Sequence, residues 1–201
     1  GARQQVLYKL SEQSRKQRRE IDTLVRDEKR LTRLIERLAK LAAAAAKPRP
    51  GVPAKPGQKV EKVADASLAG LDFHRLRGKL ALPVAGEILH KFGASREGGG
   101  PAWKGLFIRA RQGQEVRAVG SGKVAFADWL RGFGNLLIID HGTGYLSLYS
   151  NNESLYKQPG EPVRAGDVVA AVGATGGQDE PGLYFELRHQ GRPFDPLAWV
   201  R

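Results

Sequence analysis

Glycine decides what the second half of this chain can become. Gln112-Gly113, Gly120-Ser121-Gly122, Gly132-Phe133-Gly134, Gly142-Thr143-Gly144 and Gly173-Ala174-Thr175-Gly176-Gly177 come too close together for ordinary helices to fit between them. The stretches they separate are short and rich in β-branched and aromatic residues. Strands are predicted at 84–89, 106–110, 115–119, 123–128, 135–140, 145–149, 168–172 and 183–188. Tight glycine turns join such strands antiparallel. Residues 81–201 are therefore expected to form one mainly β domain, antiparallel and barrel-sandwich-like, around a single core.

The first quarter reads differently. Residues 1–46 hold no glycine or proline after Gly1. Leu7, Leu10, Ile21, Leu24, Leu31, Ile35, Leu38 and Ala42 fall on alternating steps of three and four, with Ser14, Gln17 and Glu28 as polar breaks in the same seam. This predicts a coiled-coil helix roughly 65 Å long at about 1.5 Å per residue. Its apolar stripe cannot be buried alone, so a partner helix is expected. Residues 47–58, with four prolines and two glycines, predict a semi-stiff linker. In the following segment, 59–80, a second amphipathic helix is expected, with Val60, Val63, Ala64, Leu68 and Leu71 on its apolar face. A short amphipathic helix on a proline linker suits docking into a groove, as a self-inhibitory plug.

The net charge of +12 suggests nucleic acid until it is mapped. Residues 1–50 carry 14 Lys/Arg against 6 Asp/Glu, residues 51–80 carry 6 against 3, and residues 81–201 carry 13 against 12. The excess sits in the arm and the β domain is nearly neutral, which argues against nucleic-acid binding. An anionic membrane surface or an acidic partner is the sharper reading of the arm. There is no cysteine, hence no disulfide, thiolate nucleophile or cysteine metal site. No run of about 18 apolar residues offers a membrane span. The chain does not begin with methionine, which reads as a processed or partial chain.

Several motifs in the β region keep a common order: Pro83-Val84-Ala85-Gly86, Trp103-Lys104-Gly105-Leu106-Phe107-Ile108, Gly122-Lys123-Val124, Ile139-Asp140-His141-Gly142-Thr143-Gly144-Tyr145, Val163-Arg164-Ala165-Gly166-Asp167 and Leu183-Tyr184-Phe185-Glu186-Leu187. Together they resemble the LytM domain of the M23 peptidases. Active members of that family bind zinc through His-x-x-x-Asp and His-x-His and use further histidines on the attacking water. Here the first pair of slots holds Trp103 and Phe107, the second holds Gly182 and Tyr184, and the Tyr-x-His slot at Tyr149 holds Asn151. Indole only donates, phenyl does neither, and tyrosine is a poor ligand at neutral pH. No metal site and no cofactor are therefore expected. His74, His90, His141 and His189 read as surface or turn residues, none paired at metal spacing.

With its helical arm, the chain resembles the EnvC-type murein hydrolase activators. That resemblance implies a periplasmic, non-catalytic protein at the division site of a Gram-negative cell. It would activate zinc-dependent N-acetylmuramoyl-L-alanine amidases that split septal peptidoglycan and dock on the FtsEX complex through its coiled coil, with peptidoglycan itself as a further partner. The arm is short for that family, so part of the coiled coil is expected outside these residues. The expected partner groove is Trp103, Lys104, Phe107, Leu136, Tyr149, Asn151, Tyr184 and Arg188: rings for burial, Lys104 and Arg188 to set register on an acidic helix. Arg188→Glu is expected to abolish activation without unfolding. An M23 endopeptidase with an unusual metal site, or a passive peptidoglycan-binding module, are the alternatives.

Overall fold

The structure, a computed structural model, describes residues 1–46 and 72–201. The linker expected at 47–58 and the apolar face expected at 59–71 lie outside the described residues. The chain opens on helix α1 (Ala2–Ala46), unbroken for 45 residues. Its leucine, alanine, arginine and glutamine content is helix-favouring throughout. A short 3-10 turn follows at Phe73–Leu76.

Ten strands come next: β1 (Glu87–His90), β2 (Leu106–Arg109), β3 (Glu115–Arg117), β4 (Gly122–Leu130), β5 (Gly134–Asp140), β6 (Tyr145–Leu155), β7 (Pro162–Val163), β8 (Val168–Val172), β9 (Gly182–His189) and β10 (Arg192–Phe194). The main path runs β1-β2-β9-β6-β5-β4-β7, with β10 beside β9 and the β3–β8 pair attached through β6. The strand pairings are antiparallel. All eight expected strands are present. The sequence reading missed β10, which is too short to show alternation, and it ended β6 six residues early.

The period of two sorts side chains onto two faces of this sheet. On β9, Leu183, Phe185 and Leu187 enter the main core, while Tyr184, Glu186 and Arg188 stand on the opposite face. On β2, Leu106 and Ile108 do the first and Phe107 the second. The main core is closed where the chain re-enters after α1: Phe73 stacks on Trp199 at 5.5 Å, and Leu80 bridges Val200.

The opposite face is covered by α1. Leu31, Leu34 and Ile35 are buried against Phe133, Leu136, Ile138 and Leu148, forming a second, smaller core. Each such side chain removed from water is worth about 1.5–3 kcal/mol. This corrects the expectation that the seam needs another helix. The second half of α1 buries its stripe on the β domain of its own chain, because β5 and β6 turn an aliphatic face outward at the matching place. The N-terminal half is different: Leu7 and Leu10 remain 59% and 57% exposed.

Candidate functional site

The slots that hold zinc ligands in M23 peptidases meet on the face beneath α1. Strand β2 pairs with β9 so that Phe107 lies opposite Tyr184. Tyr184 sits 6.1 Å from Trp103, ring centre to ring centre. The Phe107 ring fills the space over Gly182, where a Cβ would come within 2.7 Å of it. Asn151 adopts a left-handed φ of 70°, and its amide is fully used: it donates to the Gly173 and Gly182 carbonyls at 3.0 and 2.9 Å and accepts from the Gly176 N–H at 2.7 Å. The five residues thus form one cluster that offers a cation no imidazole and no carboxylate. Indole and phenyl rings cannot ligate, and the Tyr184 hydroxyl donates to Glu186. Zinc does not fit this donor set. Among the described residues, no group of three His, Cys, Asp or Glu side chains is placed to hold a metal.

Trp103 is held as in a clamp. Its ring stacks on His90 at 4.3 Å and nearly parallel, and the Arg96 guanidinium lies 3.8 Å from the ring centre. Two groups that close cannot share one face, so the indole is sandwiched between them. Burial lowers the Arg96 pKa, against the pull of Tyr184, Glu28 and Glu186.

A buried polar chain crosses from the sheet to the helix. Tyr184 donates to Glu186 at 2.5 Å, Arg188 Nε bonds the same carboxylate at 2.7 Å, and Arg188 reaches Glu28 of α1 at 3.0 Å. Arg188 also donates to the Gly191 carbonyl at 3.1 Å. It is 1% exposed. Burial works to lower its pKa, but the Glu186 and Glu28 carboxylates outweigh that and raise it. Burial pushes the Glu186 carboxyl up, opposed by Arg188. Burial, then the neighbouring Glu186, pushes the Tyr184 phenol well above its usual range.

α1 therefore lies along the face that carries the degenerate cluster. Leu24, Asp27 and Glu28 line one wall of a small pocket whose other walls include Arg96, Trp103, Asn151 and Tyr184. The approach is close: a Cβ on Gly132, at φ 90°, would meet the Asp27 carboxylate at 2.3–2.7 Å, and one on Gly100 would meet Ile21 at 3.3 Å. Only glycine lets the helix come this near.

Of the expected groove residues, Trp103, Phe107, Leu136, Tyr184 and Arg188 stand on this face, and Asn151 shapes its floor. Lys104 is half-buried and makes no ion pair among the described residues. Tyr149 is a correction. It points into the main core, fully buried, with Phe185 at 5.4 Å, because it shares the parity of Tyr145 on β6. Burial pushes its phenol up to about 12. The plug at 59–71 lies outside the described residues, and the helix over the groove is α1. Sequence reasoning missed Arg96, Glu28 and Glu186. Glu28 showed in the sequence as one of three polar breaks in the seam, and Glu186 as a member of the Leu183–Leu187 motif, neither with a role.

His141 opens the hairpin turn between β5 and β6, as expected. It is buried rather than on the surface, stacked 4.3 Å from Phe73. Its Nδ1 lies 2.7 Å from the Ser121 carbonyl, which can only accept, so Nδ1 carries the proton. Nε2, 2.6 Å from Ser147 Oγ, then accepts from the serine. With its own proton given to Nε2, Ser147 Oγ accepts a hydrogen bond from the Tyr149 hydroxyl, 2.9 Å away, and Tyr149 accepts from the Val119 N–H at 3.0 Å. Burial depresses this imidazole to about 4. His90 and His189 stack on Trp103 and Tyr145, and His74 lies 3.2 Å from the Tyr145 hydroxyl.

Residues 101–196 match the profile of Peptidase family M23. The β domain is M23-like in sequence and fold. Over 124 residues the chain is 44% identical to the murein hydrolase activator EnvC of Escherichia coli, a match covering 62% of this chain and 29% of that protein. The murein hydrolase activator NlpD of Escherichia coli is 39% identical over 119 residues, covering 59% of this chain and 30% of NlpD. The chain thus spans under a third of these relatives. A zinc-containing peptidase of Vibrio cholerae superposes with a TM-score of 0.54 at 28% identity, covering 59% of this chain and 38% of that one. A putative M23 peptidase of Pseudomonas aeruginosa, at 24% identity, TM-score 0.53 and 85% and 60% coverage, shares the fold. Among the described residues no helix is long and apolar enough to cross a membrane.

Proposed function

We propose that this M23 domain is a non-catalytic activator of zinc-dependent N-acetylmuramoyl-L-alanine amidases, and that the face built around Trp103, Phe107, Leu136, Tyr184 and Arg188 takes a helix of the amidase. One observation carries the reading: that face already holds an amphipathic helix, α1, through apolar burial and a Glu28–Arg188 ion pair. The names of the relatives supply the class of partner. The replaced zinc positions favour binding over hydrolysis.

On this reading α1 is the resting occupant of the groove, in the role the sequence suggested for 59–71. Its contacts say what a competing helix must present: a carboxylate where Glu28 stands, then aliphatic side chains three, six and seven residues on, as Leu31, Leu34 and Ile35 do. Activation is a population shift. A pull on the arm, or an amidase helix of higher affinity, displaces α1, and the bound amidase helix leaves its own active site open. The exposed seam near Leu7 and Leu10 is the place for a coiled-coil contact, with FtsEX as the expected partner at the division site in the periplasm.

The test is stimulation of a purified amidase on peptidoglycan by the whole chain and by residues 72–201 alone. The shorter form should stimulate more strongly, and neither should release peptidoglycan fragments without amidase. Digestion by the chain by itself would overturn the non-catalytic reading. Equal stimulation by the two forms would remove α1 from the mechanism.

A further inference from the structure

The face of α1 that points away from the sheet carries a row of basic side chains. Arg26, Arg30, Arg33, Arg37 and Lys40 follow one another at steps of four, three, four and three, so they stack in one line along the helix. Arg26, Arg33, Arg37 and Lys40 are exposed and make no ion pair among the described residues. Arg30 is half-buried, bonded to Asp27 at 2.9 Å and to the Arg131 carbonyl at 3.3 Å. The carboxylate within the row is Glu36, which borders the same shallow depression as Arg30, Arg33, Arg37 and Lys40.

This row is not needed to seat the helix, which is held by Leu31, Leu34, Ile35 and Glu28 on its other side. Like charges three and four residues apart cost a helix about 0.2–0.5 kcal/mol per pair. Four successive steps of that kind stand against Asp27, which is bonded to Arg30, and Glu36. The row is straight and roughly 20 Å long at about 1.5 Å per residue. Its depression is shallow and shared with the Glu36 carboxylate, which disfavours a discrete anion, and the row has no aromatic side chain on which a base could stack. An acidic helix packing alongside would need the apolar seam, which the sheet already occupies. What such a row fits is a flat, extended array of negative charge.

We propose that this row binds the anionic headgroups of a phospholipid bilayer, laying α1 along the membrane surface with the β domain facing away from it. The contact uses the outer face of α1 and so leaves the helix in its groove. It stands on the placement of α1 alone and does not depend on the activator reading.

The experiment is sedimentation of the whole chain with vesicles of pure phosphatidylcholine and of phosphatidylcholine with about a third phosphatidylglycerol, at low and high salt. Binding to the anionic vesicles alone is expected, falling steeply as salt shortens the screening length. Arg33→Gln with Arg37→Gln should weaken it roughly twenty-fivefold, about fivefold for each charge removed. Both residues are exposed and make no ion pair among the described residues, so the thermal midpoint should not fall. Equal pelleting with neutral vesicles, or wild-type binding by the double variant, would overturn the proposal. Polyglutamate is the control polymer: retention of polyglutamate without binding to vesicles would assign the row to an acidic protein and overturn it as well.

Discussion

Glu28 and Arg188 meet at 3.0 Å where the helix crosses the sheet, and the arginine has almost no access to water. Glu28→Gln leaves Arg188 with Glu186 and the Gly191 carbonyl and removes one charge-assisted contact. A loss of about 2 kcal/mol in the docking of α1 is expected, which shifts the docked-to-released ratio some 30-fold. Protease cleavage within α1, measured on the folded chain, should accelerate accordingly, and amidase stimulation should rise with it. Arg188→Glu is no longer the clean groove variant that the sequence suggested. It would place three carboxylates together in a buried site and destabilise the domain itself. His141 makes a separate prediction at this scale. Its folded value of about 4 lies below the roughly 6.5 of an unfolded histidine. The unfolded chain therefore binds the extra proton between those values, and stability present above pH 6.5 is lost as pH falls toward 4, by up to about 3 kcal/mol. Glu186, its carboxyl raised by burial, works the other way, so the comparison must be with a variant. Denaturation midpoints of His141→Gln should fall less steeply over that range than those of the wild type. Parallel slopes would mean the imidazole is solvated in solution.

Within α1, burial is unequal. Its apolar contacts with the sheet come from Leu31, Leu34, Ile35 and the half-buried Leu38, while Val6, Leu7, Tyr8 and Leu10 are exposed. Hydrogen exchange of backbone amides should divide the helix accordingly, with rapid exchange near residues 3–14 and protection near 24–38. Uniform protection along α1 would require a partner helix on the N-terminal half. Leu31→Asp should free the helix more completely than Glu28→Gln, because it removes a fully buried side chain worth about 1.5–3 kcal/mol and also places an unpaired carboxylate in an apolar contact. The helix itself was legible in the sequence, since nothing interrupts it and its seam keeps step. What the seam packs against was not. A 3-4 stripe looks the same whether it faces another helix or a sheet, and the receiving surface is assembled from β5, β6 and the turn at Phe133, far away in sequence.

At the scale of the molecule, one sheet has two faces with different tasks. The main core lies on one face and stabilises the domain, and the other face gathers the former metal slots under α1. Residues 72–201 alone would expose Leu136, Ile138 and Leu148 to water. That fragment is expected to melt below the whole chain and to self-associate more readily, which calorimetry and light scattering would show. The strand positions, the antiparallel pairing and the absence of zinc ligands at Trp103, Phe107, Gly182, Tyr184 and Asn151 follow from local sequence: glycine spacing, alternation of side chains and the chemistry of each donor; the order that sets β9 between β2 and β6 does not. The destination of Tyr149, the burial of His141 and the pairing of Arg188 with Glu28 do not. Parity along a strand says that neighbours face opposite ways, but which way is inward depends on what the rest of the chain brings to each face. An ion pair across 160 residues exists only once helix and sheet have met.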